Sequence, residues 1–368
     1  IHNNGGTITT TGSTCGVFSG GVLLTGNSAT YTDQSASVIE STGIAISLIG
    51  NSPTASHSGT LTTGGTNSVG ISLSGDTPTF TGASTSNINT TGCGVLLSGT
   101  TNTATYAGTL ETTGTNSHGI KLTGTTASYT GTSTSHITTN DTATGVVITT
   151  TGSTTASQAG HITTYGNYAL GMDINASTTA SVTNSGTLFT VGAWSPALNV
   201  STGTTFTVTN SGTINTSDLE SHGILVDGTY GTVSNLGTIT TGVVGDGAIG
   251  ISVTGSAPNV TVNNGSGAHI ATDGIASHAI SVTNTTPDNS TFVTNYGTIR
   301  TGGDTASDVV ISSDAATLAN HGHISASGNG AVAVSFTGNN SVLETFSGST
   351  IATSGDMTND GTNADAVV

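Results

Sequence analysis

The sequence predicts an all-β fold, a single-stranded parallel β-helix of about 14 coils with three strands per coil, and three observations predict it. Short motifs recur roughly every 25 residues along the whole chain. Within each repeat, apolar and small polar residues alternate with period two, which is the pattern of a strand. No stretch has a helical pattern, because Gly and β-branched residues interrupt it everywhere.

The first strand of each coil opens on Gly-Thr-Ile/Leu. Examples are Gly6-Thr7-Ile8, Gly59-Thr60-Leu61, Gly108-Thr109-Leu110, Gly186-Thr187-Leu188, Gly212-Thr213-Ile214, Gly237-Thr238-Ile239 and Gly297-Thr298-Ile299, with Ala268-His269-Ile270 and Gly322-His323-Ile324 as variants. The alternation turns Ile8, Leu61, Ile88, Leu110, Ile137, Ile162, Leu188, Ile214, Ile239, Ile270, Ile299, Ile324 and Ile351 inward.

The second strand reads Gly/Ala-apolar-x-apolar and sends two side chains inward per coil. Ile71 with Leu73, Ile120 with Leu122, and Ile251 with Val253 are such pairs. Stacked coil on coil, these residues form continuous apolar columns. Each buried aliphatic contributes about 1.5–3 kcal/mol. One coil cannot offset its own ordering entropy, but a stack of coils does so collectively.

The third strand reads x-Val-x-Asn in the C-terminal part, whereas the N-terminal third carries Tyr31, Phe80, Tyr106 and Tyr129 near this place. Asn tolerates left-handed turns, and stacked amides hydrogen-bond from coil to coil. Asn184, Asn210, Asn235, Asn263, Asn295 and Asn320 are the expected ladder. Parallel strands about 4.8 Å apart make the expected rod roughly 65–70 Å long, and parallel crossovers favour a right-handed coil.

The expectation is one continuous solenoid over residues 1–368, open at both ends. Ile1, His2 and Asn3 read as the tail of a third strand, and Ala366, Val367 and Val368 as a second strand. Neither end reads as a polar cap. These six residues are therefore the expected end-to-end contacts, and a head-to-tail contact of this kind builds filaments.

Charge narrows the function. Only Lys121 and Arg300 are basic, against 19 acidic residues, for a net charge of −17. That excludes a phosphate-neutralising nucleic-acid surface and an electrostatic hold on anionic membranes. No apolar run is long enough for a transmembrane helix. Two cysteines, Cys15 and Cys93, make no disulfide framework. Three coils separate them, too far for a bond.

Candidate chemistry is sparse. Glycan cleavage needs paired carboxylates, but Glu40, Glu111, Glu220 and Glu344 fall in different coils. Asp304, Asp308 and Asp314 cluster in sequence and are the candidate ligands for Ca²⁺; the competing reading is solvated turn carboxylates. A second acidic group is Asp356, Asp360 and Asp365. His136 and His161 precede Ile137 and Ile162 in neighbouring coils and should stack on one outer face. They could form a two-His metal site, with no third ligand in view. Ser-His pairs at 117–118, 221–222 and 277–278 assemble no nucleophile–base–acid set. Thr-x-Thr lattices of the kind that order ice are interrupted by Asn, His, Glu111, Phe189 and Arg300. The expectation is no enzyme, no cofactor and no metal.

The G-T-I … G-I-x-V … V-x-N-x-G-T-I repeat resembles the passenger regions of bacterial autotransporter adhesins and related secreted β-helical proteins. The resemblance covers nearly the whole chain and is architectural. It implies secretion, surface display, and adhesion or aggregation, with glycans or neighbouring cell surfaces as partners. The membrane β-barrel of a full autotransporter is not in this sequence. The combined expectation is an extracellular structural or adhesive rod that associates end to end. A carbohydrate-active β-helix and a monomeric adhesin passenger are the alternatives.

Overall fold

The computed structural model describes residues 2–3, 7–10, 21–242, 246–255, 259–284, 290–354 and 367–368. Every regular element among them is a β-strand, and no helix is long and apolar enough to cross a membrane. The strands pair in parallel, and three strands make one turn of a β-solenoid. About twelve such turns are present, and the described residues hold fourteen first strands, seven in each unit, the number expected. Two compact units divide the chain, Ile1–Ser177 and Thr178–Val368.

In the N-terminal unit the first strands are Thr7–Thr10, Val38–Ser41, Thr60–Thr63, Asn87–Thr90, Thr109–Thr112, His136–Thr139 and His161–Tyr165. Each pairs with the next in unbroken register, so Ile39, Leu61, Ile88, Leu110, Ile137 and Ile162 follow one another in a single row. All are 0–1% exposed. Ile8 stands opposite Ile39 in the ladder. Ile39 opens a coil that lacks the Gly-Thr signature.

The second-strand row places Ile46, Ile71, Val95, Ile120 and Val146 in succession, with Leu48, Leu73, Leu97, Leu122 and Ile148 two residues on. All are fully buried. At the corner before this strand stand Gly70, Gly94, Gly119 and Gly145. A Cβ on Gly119 would lie 2.5 Å from Gly145 O and 2.7 Å from Ile137 Cγ2. The first and second strands approach there too closely for any side chain.

The C-terminal unit repeats the plan. Its first-strand row is Leu188, Ile214, Ile239, Ile270, Ile299 and Ile324. Its second-strand row includes Ile224, Ile251, Ile280, Val309 and Val334, with Val226, Val253, Val282 and Ile311 beside it. All are buried. Val367 bridges Val334 in parallel, and Val368 N–H donates to Val334 O while Val368 O accepts from Phe336 N–H, each at 2.9 Å. This places Val367 and Val368 in a second-strand position. His2 and Asn3 pair with Thr32 and Asp33 of a third strand. Ile1 and Ala366 lie outside the described residues.

Candidate functional site

Polar groups capable of chemistry lie inside the solenoid, in rows that run from coil to coil. In the C-terminal unit Asn184, Asn210, Asn235, Asn264, Asn295 and Asn320 form one such row, each 0% exposed. Every Nδ2 donates to the next Oδ1: 2.8 Å from Asn184 to Asn210, 2.9 Å from Asn210 to Asn235, 2.9 Å from Asn235 to Asn264, 2.8 Å from Asn264 to Asn295, and 2.9 Å from Asn295 to Asn320. Asn264, not the expected Asn263, is the fourth member. Strand parity decides it. Val260 and Val262 point inward, so Asn264 does too, while Asn263 faces outward opposite Ser234 and Thr294.

The same position in the N-terminal unit is filled by Asp33, His57, Gly82, Tyr106, Gly131 and Gln158. Asp33 Oδ2 meets His57 Nδ1 at 2.7 Å with both side chains fully buried. Tyr31 Oη donates to Asp33 Oδ2 at 3.1 Å and Ser58 N–H to Oδ1 at 2.6 Å. Burial opposes ionisation of Asp33, but the hydrogen bond and charge of His57, with the Ser58 and Tyr31 donors, outweigh it and hold its carboxyl below the usual value. An acid–His pair is the core of a catalytic triad. With no exposed surface on either residue, this one cannot meet a substrate and serves the core. Tyr129 Oη donates to Gln158 Oε1 at 2.8 Å, and Gln158 Nε2 to Ser135 Oγ at 3.2 Å.

One buried acid stands apart. Asp308 occupies the corner row between Ala279 and Ala333, is 0% exposed, and neither carboxylate oxygen has a hydrogen-bond partner within the described residues. Burial pushes its carboxyl up to about 8; Thr301 and Arg300, beside it, pull the other way. The three candidate cation ligands do not converge. Asp304 accepts Asn329 N–H at 2.8 Å and Asp314 accepts Asn339 N–H at 2.6 Å, each at a turn, while Asp308 is inside. Among the described residues no three His, Cys, Asp or Glu side chains gather in metal-binding range. Asp356, Asp360 and Asp365 lie outside the described residues, as does Cys15; Cys93 is a free, half-buried thiol.

The glutamates are dispersed. Glu40 and Glu111 share an outer row with Thr62 and Asn89 between them. At three coil spacings they are about 14 Å apart, beyond the roughly 5–10 Å used in paired-carboxylate catalysis. Glu220 Oε2 accepts the Trp194 indole N–H at 3.0 Å. Arg300 pairs with Asp273 at 3.0 Å on the surface. A groove across the N-terminal unit is lined by Ser98, Thr123, Thr149 and neighbouring Gly and Thr, with no carboxylate, imidazole or aromatic ring.

Two sets of residues were not foreseen in their roles. In most coils a buried Thr follows the first-strand Ile or Leu by two residues, with Ser41 and Ala326 in its place after Ile39 and Ile324, and in several of them its hydroxyl ties down the next turn. Thr112 donates to Ser117 O at 2.7 Å, Thr164 to Ala169 O at 2.7 Å, Thr190 to Ser195 O at 2.7 Å and Thr272 to Ser277 O at 2.6 Å. The recurrence of Ile/Leu-x-Thr was the available signal. The Ser-His histidines each accept a backbone N–H of the following coil through Nδ1: His118 from Thr144 at 3.4 Å, His222 from Ile249 at 3.0 Å and His278 from Ser307 at 2.9 Å. Burial lowers the pKa of all three, which suits the neutral acceptor.

On the outside, His136 and His161 stack with ring centroids 4.7 Å apart and planes 18° apart. A second exposed stack joins Tyr296, His321 and Phe346, at 4.4 and 3.7 Å. No family model matches this chain, and no curated protein or solved structure matches it.

Proposed function

We propose that this chain is an extracellular structural and adhesive β-solenoid whose coils stack head to tail on those of further copies. The observation that carries the proposal is the edge of the C-terminal unit formed by its last described layer. Val342–Thr345 and Thr350–Thr353 each pair along one edge only among the described residues. Their inward side chains, Leu343 and Ile351, are only half-buried. Leu318 and Ile324, one layer back in the same rows, are 0% exposed. Apolar rows and unpaired backbone together form a template for a further parallel layer.

The first described layer of the N-terminal unit has matching strands. His2–Asn3 is a third-strand segment and Thr7–Thr10 a first-strand segment. Laid on the last described layer in the register seen throughout, an incoming Thr7–Thr10 pairs with Thr350–Thr353, with Ile8 opposite Ile351. The display of such a solenoid outside a cell is supported by its near absence of basic residues, which leaves trypsin-type proteases little to cut, and by its likeness in repeat pattern to autotransporter passengers. Its neutral hydroxyl and amide coat is the adhesive surface, suited to glycans through many weak hydrogen bonds.

The test is electron microscopy and fibre diffraction of the purified chain at rising concentration. Unbranched fibres with a meridional reflection near 4.8 Å are expected. The double variant Leu343→Lys, Ile351→Lys should keep the β-sheet circular dichroism and form none. Particles that stay separate at all concentrations, or fibres that persist in the double variant, would refute stacking through this edge.

A further inference from the structure

We propose that His136 and His161 form a two-imidazole binding site for a divalent transition metal of the zinc or copper class on the outer face of the N-terminal unit. The site does not depend on head-to-tail stacking.

The backbone builds the pair. His136 and His161 are direct partners in the parallel ladder. Beneath them Ile137 and Ile162 are 0–1% exposed and anchor both strands in the core. The two Cβ atoms therefore project from one rigid surface, one strand spacing apart, about 4.8 Å. The rings lie parallel at 4.7 Å, and both side chains are exposed.

The ring nitrogens set this pair apart from the histidines that serve the fold. His57, His118, His222, His278 and His323 each commit a ring nitrogen to a hydrogen bond. His136, His161, His269 and His321 have no such bond among the described residues, and of these four only His136 and His161 are ladder partners. Two imidazoles with uncommitted lone pairs thus face solvent side by side.

Imidazole nitrogen suits Zn²⁺, Cu²⁺ and Ni²⁺ and not Ca²⁺ or Mg²⁺. Metal–nitrogen bonds are about 2.0–2.1 Å, so two nitrogens on one ion stand roughly 3–4 Å apart. The stacked rings turn about χ1 and χ2 to bring their in-plane lone pairs onto one ion, a motion open to exposed side chains while their Cα atoms stay fixed. Water completes the coordination, and Glu111 adds negative charge nearby without being a ligand. Glu111 is exposed on the preceding strand and faces Thr138, two residues along from His136. Long side chains reach across such a diagonal. The net charge of −17 raises the local cation concentration over the whole surface.

The test uses the full chain carrying His2→Asn, which removes competition from the first residues. Zn²⁺ and Cu²⁺ are titrated in turn, followed by histidine-ring NMR for zinc and by electron paramagnetic resonance for copper. One ion per chain is expected, with shifts confined to the His136 and His161 rings and two nitrogens coupled to copper. His136→Asn and His161→Asn should each weaken binding more than roughly tenfold, since even outer-shell partners of a metal are worth that much. The double variant should be little worse than either single one. Asn fits the position, because Asn87 occupies the same outward row, and circular dichroism checks the fold. Unchanged affinity in the double variant, or shifts at other histidines instead, would overturn the proposal.

Discussion

Replacing Asp308 with alanine should make the protein more stable at neutral pH, although it removes a buried residue from a close-packed corner. Burial pushes the folded carboxyl up to about 8, against 3.8 for an unhindered Asp. Between those values the folded state keeps a proton that the unfolded chain has lost. Stability therefore declines as pH rises through this window, by up to about 1.4 kcal/mol per unit, and the loss is complete above the folded value. At pH 7 the deficit relative to acid is about 4 kcal/mol. Alanine removes it and fits the space, because Ala279 and Ala333 hold the same position in the adjacent coils at 0% exposure.

Long repeat arrays need not unfold in one step, so the measurement should be local. Native-state hydrogen exchange of the strand Ser307–Ser312 reports the opening of this corner. The variant should be protected more than the parent by about 3–4 kcal/mol at pH 7, with the difference fading toward pH 4. Taking the difference cancels the slopes of other titrating groups. A variant no better protected at pH 7, or a difference that does not change with pH, would refute the reasoning.

Three further outcomes are expected. Asn235→Ala should cost about 2–3 kcal/mol, read from urea unfolding, because it leaves Asn210 Nδ2 and Asn264 Oδ1 without their 2.9 Å partner inside the core. Gly119→Ala should destabilise by about 1–3 kcal/mol through its 2.5 Å clash with Gly145 O, whereas Gly64→Ala, with nothing within 4 Å, should be near neutral in the same melt. The histidines give a pH dependence opposite to that of Asp308. Their folded pKa values lie below the ordinary 6.5, so their contribution is present above 6.5 and is lost as pH falls through the folded values. The Thr144, Ile249 and Ser307 amides should lose protection on acidification, and hydrogen exchange at pH 7 and pH 5 checks it.

The rows of the core could be read in the sequence because each row repeats one chemistry at one parity. Ile71 and Leu73, or Leu188 and Ile214, need only alternation and spacing to be placed. Misreadings arose where two parities offered the same residue or where a coil lacked its signature. Asn263 and Asn264 are adjacent and chemically identical, so only the phase set by Val262 separates them. Ser37-Val38-Ile39 has no Gly-Thr, and Ile39 was missed. The buried Thr row was hidden because Thr is also the commonest outward residue, as in Thr60-Leu61-Thr62-Thr63. Asp308 was grouped with Asp304 and Asp314 by nearness along the chain. Aligning Asp308-Val309-Val310-Ile311 with Gly250-Ile251-Ser252-Val253 puts it at the glycine corner instead.

The two units satisfy the third-strand position by different rules, and the difference bears on register. In the C-terminal unit Val208, Val233, Val262 and Val293 stack on like residues, as do the asparagines beside them. A slip of one whole coil would lay Val on Val and Asn on Asn again, so these rows define the face but hardly the partner. The N-terminal unit alternates size. Tyr31 pairs with Ala55, Ala55 with Phe80, Phe80 with Ala104, and Ala104 with Tyr129. In the next inward row Gly82 makes room for Tyr106, whose Cδ2 would lie 2.4 Å from a Cβ there. A one-coil slip would set large ring on large ring and separate Asp33 from His57. Close packing makes overfilling costly, and an unpaired buried acid adds its own penalty. The irregular rows therefore exclude the misregistered pairings that the uniform rows would tolerate.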